Sequence, residues 1–164
     1  MISWPSFRRR KPKPIFADGL KGKGLTNRLD VPVAVMIPMV SMMYADNSQH
    51  RTEMECIQAL CAESPIFQKP SRKDINAWMV EARKYIRDEG GDEKACKDAK
   101  GVLSKSLRET TYAFAVKVLF ADEKVKQAEK DRAESMASWL DVDRDLASDI
   151  VRVISILRHG RDSL

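Results

Sequence analysis

A motif that occurs twice constrains the fold of this chain more than any other feature. Residues 44–54 read YADNSQHRTEM and residues 120–130 read FADEKVKQAEK, an offset of 76. Each copy opens with an aromatic residue and an alanine, continues with an aspartate, and reaches a glutamate seven positions later. Asp46 is thereby matched with Glu53, and Asp122 with Glu129. Each aspartate closes an apolar run, IPMVSMMYA in the first copy and FAVKVLFA in the second, and each glutamate opens a helical pattern. The chain therefore reads as two helix–loop–helix units with four carboxylates at equivalent points. If the units pack face to face the carboxylates converge, and converged carboxylates need a cation.

The 164 residues are enough for one domain with a real core, and the 43% hydrophobic content is that of a folded chain. The net charge of +5 is unevenly spread. Residues 1–28 carry eight basic groups against Asp18 alone, or +7, while the remaining residues carry 21 basic and 23 acidic groups, or −2. The basic character belongs to the N-terminal segment and predicts no basic groove on the folded body. Three cysteines, Cys56, Cys61 and Cys96, with no framework spacing argue for a reducing compartment rather than a disulfide scaffold. With no C-x-x-C pair and only His50 and His159, a sulfur-and-imidazole zinc site is not expected.

The apolar stretch 31–45 behind a basic segment has the outline of a signal peptide, but it lacks an A-x-A cleavage pattern. It also contains two prolines and falls short of the about 20 residues that span a bilayer. Its alignment with the FAVKVLFA run makes it a core helix. Residues 1–28 read as a basic flexible tail, since FRRRKPKP cannot build a core and two Lys-Gly pairs follow it. Residues 29–160 read as one helical domain.

Within that domain the expected helices follow their start and stop signals. The first runs from Asp30 to about Ala45, with Pro38 kinking it. The second covers Gln49 to Glu63 and ends at Ser64-Pro65, with Met54, Ile57, Leu60 and Cys61 on one stripe. Ser71 and Asp74 suggest a capping box for the third, whose Ile75, Trp78, Met79, Ala82, Tyr85 and Ile86 keep helical spacing up to Gly90-Gly91. The others are placed at 92–104, 106–121, 126–140 and 143–160, the last with Leu146, Ile150, Val153, Ile154 and Leu157 inward. No strand alternation of useful length is present. The expected fold is all-α, about seven helices in a bundle with two pseudo-symmetric halves.

Asp46 and Asp122 fall where a helix ends and its unpaired carbonyls are electronegative, so a carboxylate there asks for compensation. A bound divalent ion supplies it. Oxygen ligands without sulfur or imidazole favour calcium, magnesium or manganese over zinc. The seven-residue spacing is not that of an EF-hand loop. The plainer alternative is that the glutamates answer the helix dipole and the aspartates are turn residues. A capping box does not account for the glutamates, because the positions three residues before them hold His50 and Lys126.

These segments give the chain a resemblance to a known family. YADNSQHRTEM and, more closely, SLRETTYAFAVKVLFADEKVKQAEKDRAESMASWLDVD resemble the TerB-like tellurite-resistance proteins, over about Pro32 to Leu157. The resemblance implies an all-helical fold with a shared acidic site for divalent cations, here Asp46, Glu53, Asp122 and Glu129. It also implies a non-enzymatic role in bacterial resistance to tellurite, other chemical stress or phage, as an adaptor for a protein partner near the inner membrane. The location implied is the cytoplasm or its membrane face. Where the family commonly has Asp-Gly, this chain has Asp46-Asn47 and Asp122-Glu123, and the serine that often precedes the glutamate is absent from both copies.

The other residues have ordinary readings beside sharper ones. His50 either joins the acidic site or is solvated, and His159 suits a helix C-terminus. Trp78 and Trp139 fit a core, as do Met36, Met39, Met42 and Met43, which would otherwise offer an adaptable binding surface. Asp74 and Glu81 share a helix face, with solvent as the default reading. No phosphate-binding glycine loop, nucleophile elbow or Cys–His–Asp set is present, so no catalysis is expected. The rival function is a helical interaction module tethered by its basic N-terminal segment. Trp4 and Phe7 beside FRRRKPKP suit anionic lipid, and nucleic acid is the less favoured target.

Overall fold

The computed structural model describes residues 29–45, 51–121 and 127–158, the side chains of Glu129 and Arg158 excepted. Residues 1–28, expected to form a tail, lie outside the described residues, as do Asp46, His50, Asp122 and His159. Seven α-helices are described: α1 (Val31–Met43), α2 (Arg51–Glu63), α3 (Arg72–Asp88), α4 (Asp92–Val102), α5 (Lys105–Leu119), α6 (Gln127–Trp139) and α7 (Arg144–Arg158). The described residues contain no strand, so the fold is all-α.

The bundle is organised around α1. Twelve of its thirteen residues are buried, Pro38 and Ser41 among them. A helix apolar on every side has no solvent face to offer and must be surrounded. It packs most extensively against α5, α3 and α4, and touches α6 and α2. Met36, Met39, Met42 and Met43 are all buried, so the methionine cluster is core and not a binding surface. Pro38 is accommodated inside a continuous helix.

Local chemistry explains where the other helices start and stop. Ser71 and Asp74 form the expected capping box: the Ser71 hydroxyl accepts from the Asp74 N–H at 3.2 Å, and the Asp74 carboxylate accepts from the Ser71 N–H at 2.9 Å. The Ser71 hydroxyl also donates to Asp74 Oδ2 at 2.6 Å, and this bond, with that from the Ser71 N–H, holds the Asp74 carboxyl below its ordinary range. At the far end of α3, Gly90 adopts φ +90, which only glycine takes readily, and the Gly91 N–H reaches back to the Ile86 carbonyl at 2.8 Å. Ser104 caps α5 rather than extending α4, its hydroxyl accepting from the Leu107 N–H at 3.4 Å. A short 3₁₀ turn, Pro65–Phe67, follows α2 and brings Phe67 against Trp78, with ring centroids 5.5 Å apart.

The C-terminus of α6 is closed by a side chain from α5. Asp141 sits at φ 57, and the Val142 N–H donates to the Ala137 carbonyl at 2.9 Å. Arg108 Nη1 donates both to the Leu140 carbonyl at 3.3 Å and to Asp141 Oδ2 at 2.7 Å. The guanidinium meets the negative end of the helix and holds the Asp141 carboxyl below its ordinary range.

Two expectations need correction in α7. Val153 is 54% exposed and Leu157 is 78% exposed, so neither points inward. Leu146, Ile150 and Ile154 do pack on the core, but the apolar stripe outlasts its cover.

The cysteines are free, Cys61 and Cys96 buried and Cys56 half-buried. Burial pushes the thiols of Cys61 and Cys96 up to about 12, leaving almost no thiolate at pH 8. In the native protein at pH 8, iodoacetamide is expected to label Cys56 first and to reach the other two only once the protein is unfolded. Peptide mapping by mass spectrometry reads the order, and early labelling of Cys96 would contradict the packing around it.

Candidate metal centre

The repeat survives in the helix bounds. α2 and α6 both span thirteen residues and start 76 apart, at Arg51 and Gln127, while α1 and α5 end 76 apart, at Met43 and Leu119. The buried positions keep the same offset: Ile57, Leu60 and Cys61 in α2 match Ala133, Met136 and Ala137 in α6. Met39, Val40, Met42 and Met43 likewise match Ala115, Val116, Val118 and Leu119.

The two helix ends that lead into the acidic segments are built alike. Tyr44 caps α1 at φ −101, ψ 11, and Phe120 caps α5 at φ −87, ψ 8. The Tyr44 N–H donates to the Val40 carbonyl and the Ala45 N–H to that of Met42. The same pair of bonds joins Phe120 to Val116 and Ala121 to Val118. On the far side of each segment, the first residue of the next helix holds an acid one turn on. Arg51 Nε donates to Glu55 Oε1 at 2.7 Å, and Gln127 Nε2 donates to Asp131 Oδ1 at 2.8 Å.

Of the four expected ligands, the structure describes one side chain. Glu53 lies in the first turn of α2 and is 5% exposed. Among the described residues the other buried polar residues are Ser41 and Thr111, which are neutral, so Glu53 is the buried ionisable carboxyl. Helix-dipole chemistry places a glutamate in a first turn, but it does not require burying it. A carboxylate taken out of water must be met by hydrogen-bond donors or by a cation. Glu129 holds the corresponding place in the first turn of α6, while Asp46 and Asp122 fall outside the described residues. Among the described residues no three His, Cys, Asp or Glu side chains gather as a metal set.

The donors at issue are all carboxylate oxygens, with no thiolate among them, which suits a hard divalent ion. The buried thiols of Cys61 and Cys96 are held protonated and are poor ligands. Asp74 and Glu81 are exposed, and Asp74 is engaged in its capping box.

One contact at this end of the molecule was not readable from spacing. Arg83, on α3, lies over the Tyr44 ring with Cζ 4.3 Å from its centroid, and its Nη1 donates to the Tyr44 hydroxyl at 3.1 Å. The two residues are 39 positions apart, so nothing in the local pattern joins them.

Comparison with known families matches residues 32–152 to the family described as tellurite resistance protein TerB, well over half of the chain. Among curated proteins and solved structures nothing matches.

Proposed function

The chain belongs to the TerB tellurite resistance family, and from that premise we propose that it is a non-enzymatic adaptor whose conformation is set by a divalent cation. Asp46, Glu53, Asp122 and Glu129 would hold the ion, with calcium, magnesium or manganese preferred over zinc. The ion would join the segment between α1 and α2 to the segment between α5 and α6, and the two halves would then present one surface to a protein partner. The halves are proposed to be related by an approximate twofold axis, a reading supported by the common 76-residue offset of helix bounds and buried positions.

The observation that carries the proposal is the burial of Glu53 at the start of α2. What supports it further is the matching termination of α1 and α5, whose electronegative ends come just before Asp46 and Asp122 in the sequence. A cation answers both features at once.

No helix of the described residues is long and apolar enough to cross a membrane. Action in the cytoplasm, with residues 1–28 meeting anionic lipid at the inner membrane, is part of the proposal, supported by the +7 charge of that segment.

Isothermal calorimetry tests the cation site. The native protein is expected to bind calcium with measurable heat, and the Asp46→Asn/Asp122→Asn variant to show none. Equal heats from the two proteins, or none from either with calcium, magnesium and manganese, would remove the acidic site from the account.

A further inference from the structure

Among the described residues the large apolar side chains left in solvent are Val80, Val153, Ile156 and Leu157. Val80 stands alone on α3, and a single exposed apolar residue is ordinary. The other three share the last turns of α7 and make one patch, with Val153 54%, Ile156 62% and Leu157 78% exposed. The core side of α7 is already used: Leu146, Ile150 and Ile154 pack there, where the helix meets α5 and α6. The patch is therefore a second apolar face on one helix, and the bundle gives it no cover.

Asp145, Asp149, Val153 and Leu157 fall four residues apart, so one row along α7 carries two carboxylates and then two apolar side chains. At about 1.5 Å per residue the row is about 18 Å long. Both aspartates are exposed. The acids just before them are engaged: Asp141 is paired with Arg108, and Asp143 caps α7, accepting from the Asp145 N–H at 3.0 Å and the Leu146 N–H at 3.1 Å. The carboxylates of Asp145 and Asp149 have no such partner among the described residues. Asp145 stands in the first turn, where the helix dipole favours an acid, but Asp149 lies beyond it.

A second copy of the chain does not fit this row. Two α7 helices laid parallel set carboxylate against carboxylate. Laid antiparallel with their apolar ends together, they leave the aspartates outside the contact. The antiparallel register that brings Asp149 to the exposed Arg152 of the other copy lays Asp145 against Ile156. The row does fit a helix that is apolar at one end and basic at the other. We propose that this face of α7 docks a basic amphipathic helix of a partner protein, whose apolar side chains cover Val153, Ile156 and Leu157 while its lysines or arginines meet Asp145 and Asp149. The proposal rests on the adaptor reading above and names the surface and the class of partner. No residue of the face belongs to the proposed cation site, so docking does not require the ion. The patch is small beside the about 800 Å² that a standard interface buries on each partner, so the contact is weak and rapidly reversible.

The experiment is a fluorescence-anisotropy titration of the full chain, with a chelator present, against a labelled helical peptide of leucine and lysine whose leucines keep helical spacing. The control peptide has glutamate in place of lysine. The native protein is expected to bind the lysine peptide and not the glutamate peptide. Ile156→Ser/Leu157→Ser is expected to weaken binding roughly tenfold or more. Asp145→Asn/Asp149→Asn is expected to weaken it roughly three- to tenfold at low salt, an effect that shrinks as salt is added. Val80→Ser, on the other exposed apolar site, leaves binding unchanged. All of these positions are exposed, so each variant should keep a native-like melt by circular dichroism.

No binding by the native protein would overturn the proposal, as would equal binding by native protein and Ile156→Ser/Leu157→Ser, or equal binding of the two peptides. A dimer in sedimentation equilibrium that Ile156→Ser/Leu157→Ser dissolves would assign the face to a second copy and overturn it too. Peptide binding that tightens in the Arg8→Glu/Arg9→Glu/Arg10→Glu variant would assign the face to the chain's own N-terminal segment, with the same consequence. Failure of the calcium calorimetry leaves these outcomes as they stand, and failure here leaves the acidic site as it stands.

Discussion

Replacing Ile37 with aspartate is expected to abolish folding. Ile37 is fully buried in α1, the helix around which α3, α4 and α5 are packed. Removing such a side chain costs about 2–5 kcal/mol through lost burial and the cavity left behind. The new carboxylate adds several kcal/mol more, because Ile37 has no solvent exposure and lies within the apolar core cluster. Domains of this kind are stable by only about 5–15 kcal/mol, so the two losses together consume most or all of it. Circular dichroism of Ile37→Asp should show no cooperative thermal transition. Val80→Asp is the control: Val80 is 70% exposed on α3, and a charge there should move stability by no more than about 0.5 kcal/mol. A native-like melt of Ile37→Asp would refute the central place given to α1.

Replacing Glu53 with glutamine is expected to disconnect stability from calcium. Any ion that binds only the folded state stabilises it by mass action, by about 2.7 kcal/mol at a hundredfold excess over the dissociation constant. For a chain of this size that gain raises the melting temperature by roughly 5–10 °C. Glutamine keeps the shape of Glu53 and removes its charge. The calcium-free melting temperature of each protein serves as its own baseline, so that the effect of the ion is read as a rise from it. Added calcium should then raise only the native melting temperature. Differential scanning calorimetry with and without calcium makes the comparison. An equal rise in both proteins would mean that Glu53 is buried for the sake of the α2 terminus and not for an ion.

Most of the helix boundaries were legible because they rest on local chemistry. Ser71 with Asp74 and Gly90 with Gly91 define α3 from its two ends, and both devices are present as read. Ser104 was misplaced by the periodicity, which carried α4 through it, although serine caps a following helix better than it ends a preceding one. The seven-helix, all-α architecture followed from these signals and from apolar spacing.

What spacing left open was how far an apolar stripe is covered. Leu146, Ile150, Val153 and Leu157 form one continuous row on α7, yet only the first two pack on the core. The row is a property of the helix; its cover is a property of the elements beside it. Glu53 shows the same division. Its place in a first turn was readable from the repeat, while its burial depends on how α2 lies on the rest of the bundle. Arg83 and Tyr44 meet only because α3 crosses the end of α1, a contact that no window of sequence contains.

The position of α1 also bears on how the protein is made. It is the first of the described helices to leave a ribosome, and α5, one of its main coverings, lies in the second half of the chain. At ~5–20 residues per second, several seconds separate their emergence. During that interval the run of valine, methionine and isoleucine has only α2, α3 and α4 to sit against and lacks the part of its cover that α5 supplies. Vectorial synthesis thus gives this polypeptide a built-in need for shielding, by trigger-type chaperones or by delayed collapse, that refolding of the finished chain from urea does not share.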